Sequence, residues 1–454
     1  MPGSNDRLIN NLQGNDIITA LQAIASKSQS PYSSTHKLNP KYIDYNSYHA
    51  NITEEEVDML DIMSKICLDE QGYIGIDYGV KPLVPSVTRE TDFVNNTSTL
   101  TGNISNLQVY TQMKRCNVAD DGTINAFDGD VGYTENGSNG QVMVYVKKFY
   151  YKLDVSQTGD LDGVNIRKGR WSIADTKVDN TYKLHPAFLA ADGVTELPYF
   201  LYGAFEAVGQ DSNGTYSTSY NTTTYKLGSV GSNTYAPTNS LTRATARTMA
   251  TNRGTGWYNV GVKQTMAIQM LFAVEYGFNS QKTLGWGIVN ASAVSNTGTT
   301  TGSISSGDLV GKTTAVNYRG VENFWGNVFS WVDGFNTNNK IPYICDTYTF
   351  VDDTLTGYTQ IAFTLPSPDG YISALGYDTD NNWVMLPSEA TDATADSAVG
   401  DYVNSRSSWR VALLGADFFS GNSVAGAFNW NCYSGASFAS LYIGARIMYI
   451  PQIT

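Results

Sequence analysis

The stretch YRGVENFWGNVFSWVDGFN, residues 318–336, combines tryptophan, glycine and asparagine in a pattern that predicts a buried turn leading into a strand. Trp325 and Trp331 carry large amphipathic side chains that stabilise a core when buried, and Gly326 permits a close turn between them. Two amide side chains suited to holding loop backbone flank this turn, those of Asn323 and Asn327. We therefore expect these residues to be structural rather than catalytic. We also expect Trp325, Trp331 and Arg446 to be mostly buried or hydrogen-bonded inside one domain, Arg446 because it lies in the strand-like closing segment IGARIMYI (443–450).

The composition around this stretch is that of a folded, strand-rich protein. Of the 454 residues, 41% are hydrophobic and 12% aromatic, which is enough to form cores. The chain has 42 glycines and 30 tyrosines but only 16% charged residues, a profile that favours short strands joined by many turns. Its length also indicates more than one domain.

Charge and hydropathy argue against two kinds of partner. The formal net charge of −13 repels phosphate backbones, so we expect no nucleic-acid partner. No apolar run approaches the roughly 20 residues needed to span a bilayer, so we expect no membrane insertion. The N-terminal sequence MPGSNDRLINN lacks the apolar core of a signal peptide. The sequence thus predicts a soluble chain without a secretion signal.

Residues that bind metals or act as nucleophiles are few. Four cysteines are far apart, form no CxxC pair and are predicted to be buried thiols: Cys67, Cys116, Cys345 and Cys432. With three histidines in the chain, we predict no cofactor. Paired aspartates at 352–353 and at 378 and 380 are predicted to lie in solvated turns rather than to form a glycosidase pair, with a structural calcium ion as an open alternative.

The first seventy-odd residues differ from the rest. Asn15 is suited to cap one helix, and residues 53–56 form a T-x-x-E capping box before a second helix that runs through Cys67 and stops at Gly72. Such short helices are marginal alone and need a partner to pack against. Residues 1–74 are therefore predicted to be a helical segment for attachment or oligomerisation, with an N-terminal cap on the same globule as the alternative.

Strand and turn patterns dominate from Gly75 onward. VMVYVKKFYYKLDV (142–155) predicts a strand with one buried face, and YFLYGAFEA (199–207) predicts another. QTMAIQMLFAVEYG (264–277) predicts a helix that ends at Gly277 and has one apolar face, made of Ala267, Met270, Leu271 and Val274. The predicted class is α+β: a short N-terminal helical segment, then a β-rich fold with few helices and long loops.

The segment 318–336 resembles the glycine- and tryptophan-bearing motif of a C-type lectin fold variant, found in formylglycine-generating-enzyme-like domains and in phage variable proteins. The matching positions are Glu322, Asn323, Trp325, Gly326, Asn327, Val328, Trp331, Asp333 and Gly334. The resemblance covers residues 75–454 and implies a C-type lectin-like fold. On this basis we divide the remainder into a β-rich first part, 75–240, and a lectin-like core with a C-terminal ligand-binding surface, 241–454.

The same resemblance raises the alternative of an enzyme. The oxidation of sulfatases that the family implies uses a nearby pair of cysteines late in the domain, and here only Cys432 lies in that region. A lone thiol without an adjacent histidine or lysine is a poor nucleophile. We predict that the chain is not an enzyme.

In the phage proteins that this chain resembles, the segment between GAF and IGAR faces the ligand. Here GAF is 426–428 and IGAR is 443–446, and the residues between are rich in the Tyr, Ser, Gly and Asn that give antibody paratopes contact area at low entropic cost. ADFFSGNSVA (416–425) supplies a second edge. The predicted receptor-binding residues are Phe418, Phe419, Asn429, Asn431, Tyr433, Ser434, Ser437, Phe438, Ser440, Leu441 and Tyr442. Trp430 is predicted to be core, and the alternative for the other aromatic residues is also core.

The resemblance to phage variable proteins implies a phage virion protein, which we expect to be a tail fibre or tail-tip adhesin that binds a host cell-surface receptor, either a glycan or a protein. Its N-terminal segment would attach it to other virion proteins, and a homotrimer would strengthen weak single-site binding through avidity. The alternatives are a head-decoration or head-fibre protein and, less favoured, an enzyme of the formylglycine-generating type.

Overall fold

The chain divides into two units, Met1–Val84 and Pro85–Thr454. The computed structural model describes residues 85–159, 164–392, 399–421 and 424–452, together with two short backbone stretches of the first unit, Ile66–Leu68 and Ile74–Ile76. The helices predicted to begin near Asn15 and after residues 53–56 lie outside the described residues. At Cys67, through which the second helix was predicted to run before stopping at Gly72, the chain instead forms the strand Ile66–Leu68, which pairs antiparallel with Ile74–Ile76.

The predicted α+β class is wrong, because the described part of the chain is mostly β, with 34% in strands and 11% in helices. No N-terminal helical segment is shown among the described residues. The abundance of glycine, tyrosine, threonine and asparagine explains why strands outnumber helices, since these residues favour short strands and turns over helices.

The strands of the described residues are numbered in chain order. The first eleven are β1 (Ile66–Leu68), β2 (Ile74–Ile76), β3 (Ser86–Asp92), β4 (Thr97–Thr101), β5 (Lys114–Val118), β6 (Ile124–Phe127), β7 (Gln141–Lys147), β8 (Tyr150–Thr158), β9 (Ile166–Ala174), β10 (Lys183–Leu184) and β11 (Tyr199–Gly203). The next eight are β12 (Val208–Gln210), β13 (Tyr216–Ser217), β14 (Lys226–Gly228), β15 (Trp257–Asn259), β16 (Asn317–Tyr318), β17 (Val321–Glu322), β18 (Phe329–Asn338) and β19 (Ile341–Cys345). The last eight are β20 (Tyr358–Gln360), β21 (Gly370–Leu375), β22 (Pro387–Thr391), β23 (Tyr402–Ser405), β24 (Arg410–Leu414), β25 (Trp430–Cys432), β26 (Ile443–Gly444) and β27 (Ile447–Tyr449).

Four α-helices occur in the described residues: α1 (Gln108–Thr111), α2 (Arg243–Thr251), α3 (Val262–Tyr276) and α4 (Ser280–Thr283). Short 3₁₀ turns lie at Ile104–Asn106 and Pro186–Phe188. The helix predicted at 264–277 is confirmed as α3, and Gly277 follows it with a φ of 88°. Its burial is broader than one face, because twelve of its residues are buried. A helix that is apolar on all sides belongs in the core, and α3 packs against β3, β9 and β18.

Two antiparallel sheets share the segment that was predicted as one strand over 142–155. The chain leaves the first sheet after β7 and enters the second at β8, with Phe149 fully buried between them. The first sheet has the order β15-β27-β11-β7-β5-β6, so the C-terminal strand β27 lies between β15 and β11. The second has the order β10-β8-β9-β3-β4. Alternation alone could not reveal this change of sheet, because both halves read as strand.

The largest sheet carries the C-terminal part of the chain, in the order β20-β19-β18-β24-β25-β23-β21-β22, with β26 beside β18. It is mixed, because β23 pairs with β25 and β18 with β26 in parallel. Irregular pairing between Val332 and Asn336 bends the long strand β18. Two small sheets, β13-β12-β14 and β16-β17, complete the second unit. The division of the sequence at 74/75 and 240/241 into three functional parts stays a prediction.

Candidate functional site

The turn at 323–328 is a buried structural centre, as the sequence predicted. Trp325 and Trp331 are 1% and 0% exposed, and their indole nitrogens donate to the backbone oxygens of Gly285 and Leu241. Asn323, Asn327 and Gly326 all have positive φ, which asparagine and glycine tolerate best. The predicted structural role of this motif is therefore confirmed.

A carboxylate that sequence reasoning missed holds this turn. Glu206 is 1% exposed and accepts hydrogen bonds from the side-chain amides of Asn323 (3.2 Å) and Asn327 (2.6 Å) and from the backbone N–H of Val328 (3.1 Å). Burial raises the pKa of Glu206 to about 7, against the opposing effects of Arg446 and these hydrogen bonds. The sequence signal was a single acidic residue inside the apolar run YFLYGAFEA.

Arg446 ties the C-terminal strand region to the same turn. Its guanidinium donates to the backbone oxygens of Gly203, Glu322 and Asn323 at 2.8–2.9 Å, and the residue is 1% exposed. The predicted burial of Arg446 is confirmed. These contacts fix the position at which the chain leaves residues 429–442, which we call the display segment.

The display segment begins as a strand and continues as an aperiodic loop with a fixed backbone. Along β25, Trp430 and Cys432 are buried while Asn431 between them is partly exposed. Trp430 is fully buried, as predicted. Beyond β25, four backbone oxygens of the loop accept hydrogen bonds from different parts of the fold, namely Ser434 from Val411, Ala436 from Arg243, Ser440 from Ser240 and Tyr442 from Phe329. The loop is therefore held at several points without a regular secondary structure.

Several side chains of this loop face solvent. Tyr433, Phe438 and Leu441 are 52%, 50% and 49% exposed, and Phe419 upstream is 69% exposed. Phe419, Tyr433 and Phe438 are the only exposed aromatic residues in the described part of the chain. Ser437 is exposed, and the partly exposed predicted residues are Asn431, Ser434, Ser440 and Tyr442. Of the three aromatic residues expected to be accessible, Tyr433 and Phe438 are exposed and Tyr442 is only partly exposed, whereas the role of all three in receptor binding stays a prediction.

Two predicted contact residues do not face the surface, which corrects their assignment. Phe418 is 4% exposed and packs with Ile288 and Ala315, while its neighbour Phe419 points outward. Asn429 is 3% exposed, and its amide donates to the backbone oxygens of Tyr402 and Val424. Phe418 and Phe419 are the two central residues of a turn closed by the hydrogen bond from the Ser420 N–H to the Asp417 backbone oxygen, and this turn places Phe418 inside and Phe419 in solvent.

Aromatic contacts organise both ends of the exposed surface. The ring of Tyr442 stacks with exposed Phe419, with 6.3 Å between the ring centroids. Its centroid also lies 5.4 Å from that of buried Phe418, so Tyr442 connects the exposed ring to the core. At the other end, the Arg406 guanidinium lies 4.3 Å from the ring centroid of Tyr433. Sequence reasoning missed Arg406, because its contact with Tyr433 depends on the adjacent strands β23 and β25.

The described residues offer little for nucleophilic chemistry. Cys432 is fully buried, and burial raises the pKa of its thiol well above the usual range. The sulfur therefore stays protonated, and a protonated thiol is a poor nucleophile. Cys116 and Cys345 are buried and free as well. Burial lowers the pKa of His185 to about 3, so this imidazole is neutral and enclosed among aromatic rings.

The paired aspartates have protein partners. Asp352 is not in a solvated turn as predicted, because it accepts hydrogen bonds from Arg243 (2.5 Å) and Arg247 (2.7 Å). Asp378 accepts from the backbone N–H groups of Ala362, Asp380 and Asn381. Within the described ranges, no cluster of three acidic, histidine or cysteine residues is arranged to hold a metal ion. A structural calcium ion remains an untested expectation.

The fold and this surface define a β-rich protein with an exposed aromatic surface near its C-terminus. No family model matches the sequence, and no curated protein matches it. Among solved structures, similarity is found to the Major Tropism Determinant U1 variant, with 14% identity over 74% of this chain and 71% of that chain and a TM-score of 0.26. The M1 variant matches over the same shares with 13% identity and a TM-score of 0.25. Among the described helices, none is both long and apolar enough to cross a membrane.

Proposed function

We propose that the chain is a phage virion protein that attaches the particle to a host cell-surface receptor through the exposed side chains of the display segment and Phe419. The observation that carries the proposal is the group of exposed aromatic residues on a backbone held at several points. Exposed aromatic residues on such a backbone give a partner large contact area, and little entropy is lost when they bind. The phage context comes from the resemblance of segment 318–336.

A double substitution tests this function. Tyr433→Ser with Phe438→Ser removes two exposed rings and introduces the residue most typical of this loop. Because exposed substitutions usually change stability by less than about 0.5 kcal/mol, the protein should remain folded. If either ring is a binding hot spot worth about 2 kcal/mol, adsorption to host cells should weaken by about 30-fold.

A matched control uses two exposed valines outside this surface. Val94→Ser with Val194→Ser changes residues that are 60% and 79% exposed, and it should leave adsorption unchanged. Adsorption by the Tyr433/Phe438 variant at the wild-type level, with equal amounts of protein on the particle, would refute the proposed function.

Attachment through the N-terminal segment and assembly as a homotrimer belong to the same proposal. Deletion of residues 1–72 leaves the second unit, Pro85–Thr454, intact in sequence. We expect a soluble protein that retains binding to host cells but no longer enters particles. Normal incorporation of this variant would contradict attachment through the N-terminal segment, and a monomeric full-length protein in sedimentation would contradict the trimer.

A further inference from the structure

A polar cavity of about 370 Å³ lies beside the display segment. Three parts of the fold line it: the turn between β18 and β19, the loop before β21 and the loop after β23. Its polar lining residues are Lys340, Ser367, Asp369, Ser405, Arg406 and Ser407. This volume lies at the low end of the range for small-molecule sites, so it suits one small ring rather than a long chain.

The turn between β18 and β19 holds Lys340 at the cavity. Asn339 and Lys340 have φ of 51° and 67°, as the two central residues of a tight hairpin turn of the type I′ require. The backbone oxygen of Lys340 accepts a hydrogen bond from Leu365 (2.9 Å), which fixes the turn against the neighbouring loop. Among the described residues, no carboxylate lies within ion-pair distance of the Lys340 amine.

The single acidic residue of the cavity is already engaged. Asp369 pairs with Arg406 at 2.5 Å and accepts further hydrogen bonds from the backbone N–H of Ser405 (2.9 Å) and the amide of Asn404 (3.2 Å). One negative charge therefore faces two positive charges, those of Lys340 and Arg406. A locally positive cavity on a chain of net charge −13 is a place where an anion can bind despite the overall repulsion.

Arg406 connects this cavity to the exposed aromatic surface. The same guanidinium that pairs with Asp369 lies 4.3 Å from the ring centroid of Tyr433, and its side chain is 40% exposed. Tyr433 is 52% exposed, so part of its surface remains open to a ligand beside the cavity. The cation pair, the serine hydroxyls and the ring are thus neighbours.

We propose that this cavity binds the carboxylate of an acidic sugar residue in a host cell-surface glycan. The proposal rests on the proposed function and names the receptor chemistry. The guanidinium of Arg406 and the amine of Lys340 bind the carboxylate, since charge-assisted hydrogen bonds from these groups are the strongest available here. The exposed hydroxyls of Ser367 and Ser407 bind sugar hydroxyls, and Tyr433 packs against the ring. An acidic peptide is the less favoured ligand, because the cavity is small and its wall is rich in hydroxyl groups.

Saturation-transfer NMR with the full-length protein and sodium glucuronate tests this site. Glucose and acetate probe the ring and the carboxylate separately, and a short glutamate-rich peptide probes the alternative ligand. Lys340→Asn removes the charge while keeping a residue that tolerates positive φ, and Arg406→Gln retains a donor for Asp369. Lys177→Asn is the matched control, because Lys177 is exposed and does not line the cavity.

Glucuronate should bind more tightly than glucose or acetate, and loss of one charge-assisted contact should weaken it by about tenfold in Lys340→Asn and in Arg406→Gln but not in Lys177→Asn. Absence of glucuronate binding, binding unaffected by both cavity variants, or tighter binding of acetate or of the peptide would overturn the assignment. If adsorption still depends on Tyr433 and Phe438, the proposed function stands even when the cavity assignment fails. If adsorption does not depend on Tyr433 and Phe438, the proposed function fails whether or not glucuronate binds.

Discussion

Glu206→Gln is the substitution that most sharply probes the buried centre of the second unit. In the wild type, burial raises the pKa of this carboxyl group from 4.5 to about 7, so the folded state holds a proton that the unfolded state releases. Stability therefore falls as pH rises from 4.5 to 7. Because one pH unit corresponds to about 1.4 kcal/mol, this single group lowers the free energy of unfolding by about 3 kcal/mol across that range.

Glutamine cannot titrate, so the variant lacks this decline. Its amide nitrogen donates, and one of the three donors that face Glu206 then loses its acceptor, which costs about 1–3 kcal/mol at pH 5. The variant should thus be less stable than the wild type at pH 5, and the difference should shrink by about 2 kcal/mol by pH 7.

Urea unfolding followed by tryptophan fluorescence measures this difference, because all eight tryptophans lie between residues 171 and 430. Glu196→Gln is the control, since Glu196 is exposed and its hydrogen bond from Lys148 lowers its pKa, which places its titration below this pH range. Parallel stability curves for Glu206→Gln and the wild type between pH 4.5 and 7 would refute the reasoning and show that Arg446 and the hydrogen bonds keep the carboxylate ionised.

Three further outcomes are expected. Gly326→Ala should lower the free energy of unfolding by about 1–3 kcal/mol in urea unfolding, because φ is 85° and a Cβ would lie 2.7 Å from the Ile288 nitrogen. Gly435→Ala should leave stability unchanged, because a Cβ there meets nothing within 4 Å, and equal stability of the two variants would contradict this. Asp333→Asn should cost about 3–5 kcal/mol in the same assay, because it removes the fully buried partner of Arg243 and Arg247; a loss below about 1 kcal/mol would show that Asp352 alone satisfies both arginines. Cys432 should resist alkylation in the native protein and react after unfolding, as measured by mass spectrometry, and rapid native labelling would contradict its burial.

The sequence predicts the buried residues better than the arrangement of the elements. Trp325 and Trp331 could be placed in the core because large side chains beside glycine and asparagine mark a tight buried turn, and Arg446 because it lies in the strand-like segment 443–450. The α+β class was wrong because the N-terminal helical patterns outweighed the strand-rich composition of the rest. The break at Phe149, where one apparent strand serves two sheets, depends on tertiary pairing that alternation does not show.

For the candidate surface, too, the sequence predicts the general exposure of a segment but not the orientation of each residue in it. The tyrosine- and serine-rich composition of residues 429–442 predicts exposed side chains, and Tyr433 and Phe438 are exposed. Which of Phe418 and Phe419 faces solvent depends on the orientation of the backbone, which composition does not give. Arg406 and Lys340 come from separate strands and turns, so no local pattern could bring them to one cavity.

Hydroxyl-radical footprinting of the full-length protein on host cells tests the receptor-binding surface most directly. Oxidation of Phe419, Tyr433 and Phe438 would be compared with and without host cells, and the exposed residues Ile304 and Leu309 would serve as controls outside the surface. The proposed function predicts protection of the three aromatic residues by host cells, and no protection by cells of a resistant strain or at the control residues. Equal oxidation of the three aromatic residues in the presence and absence of bound host cells would contradict it.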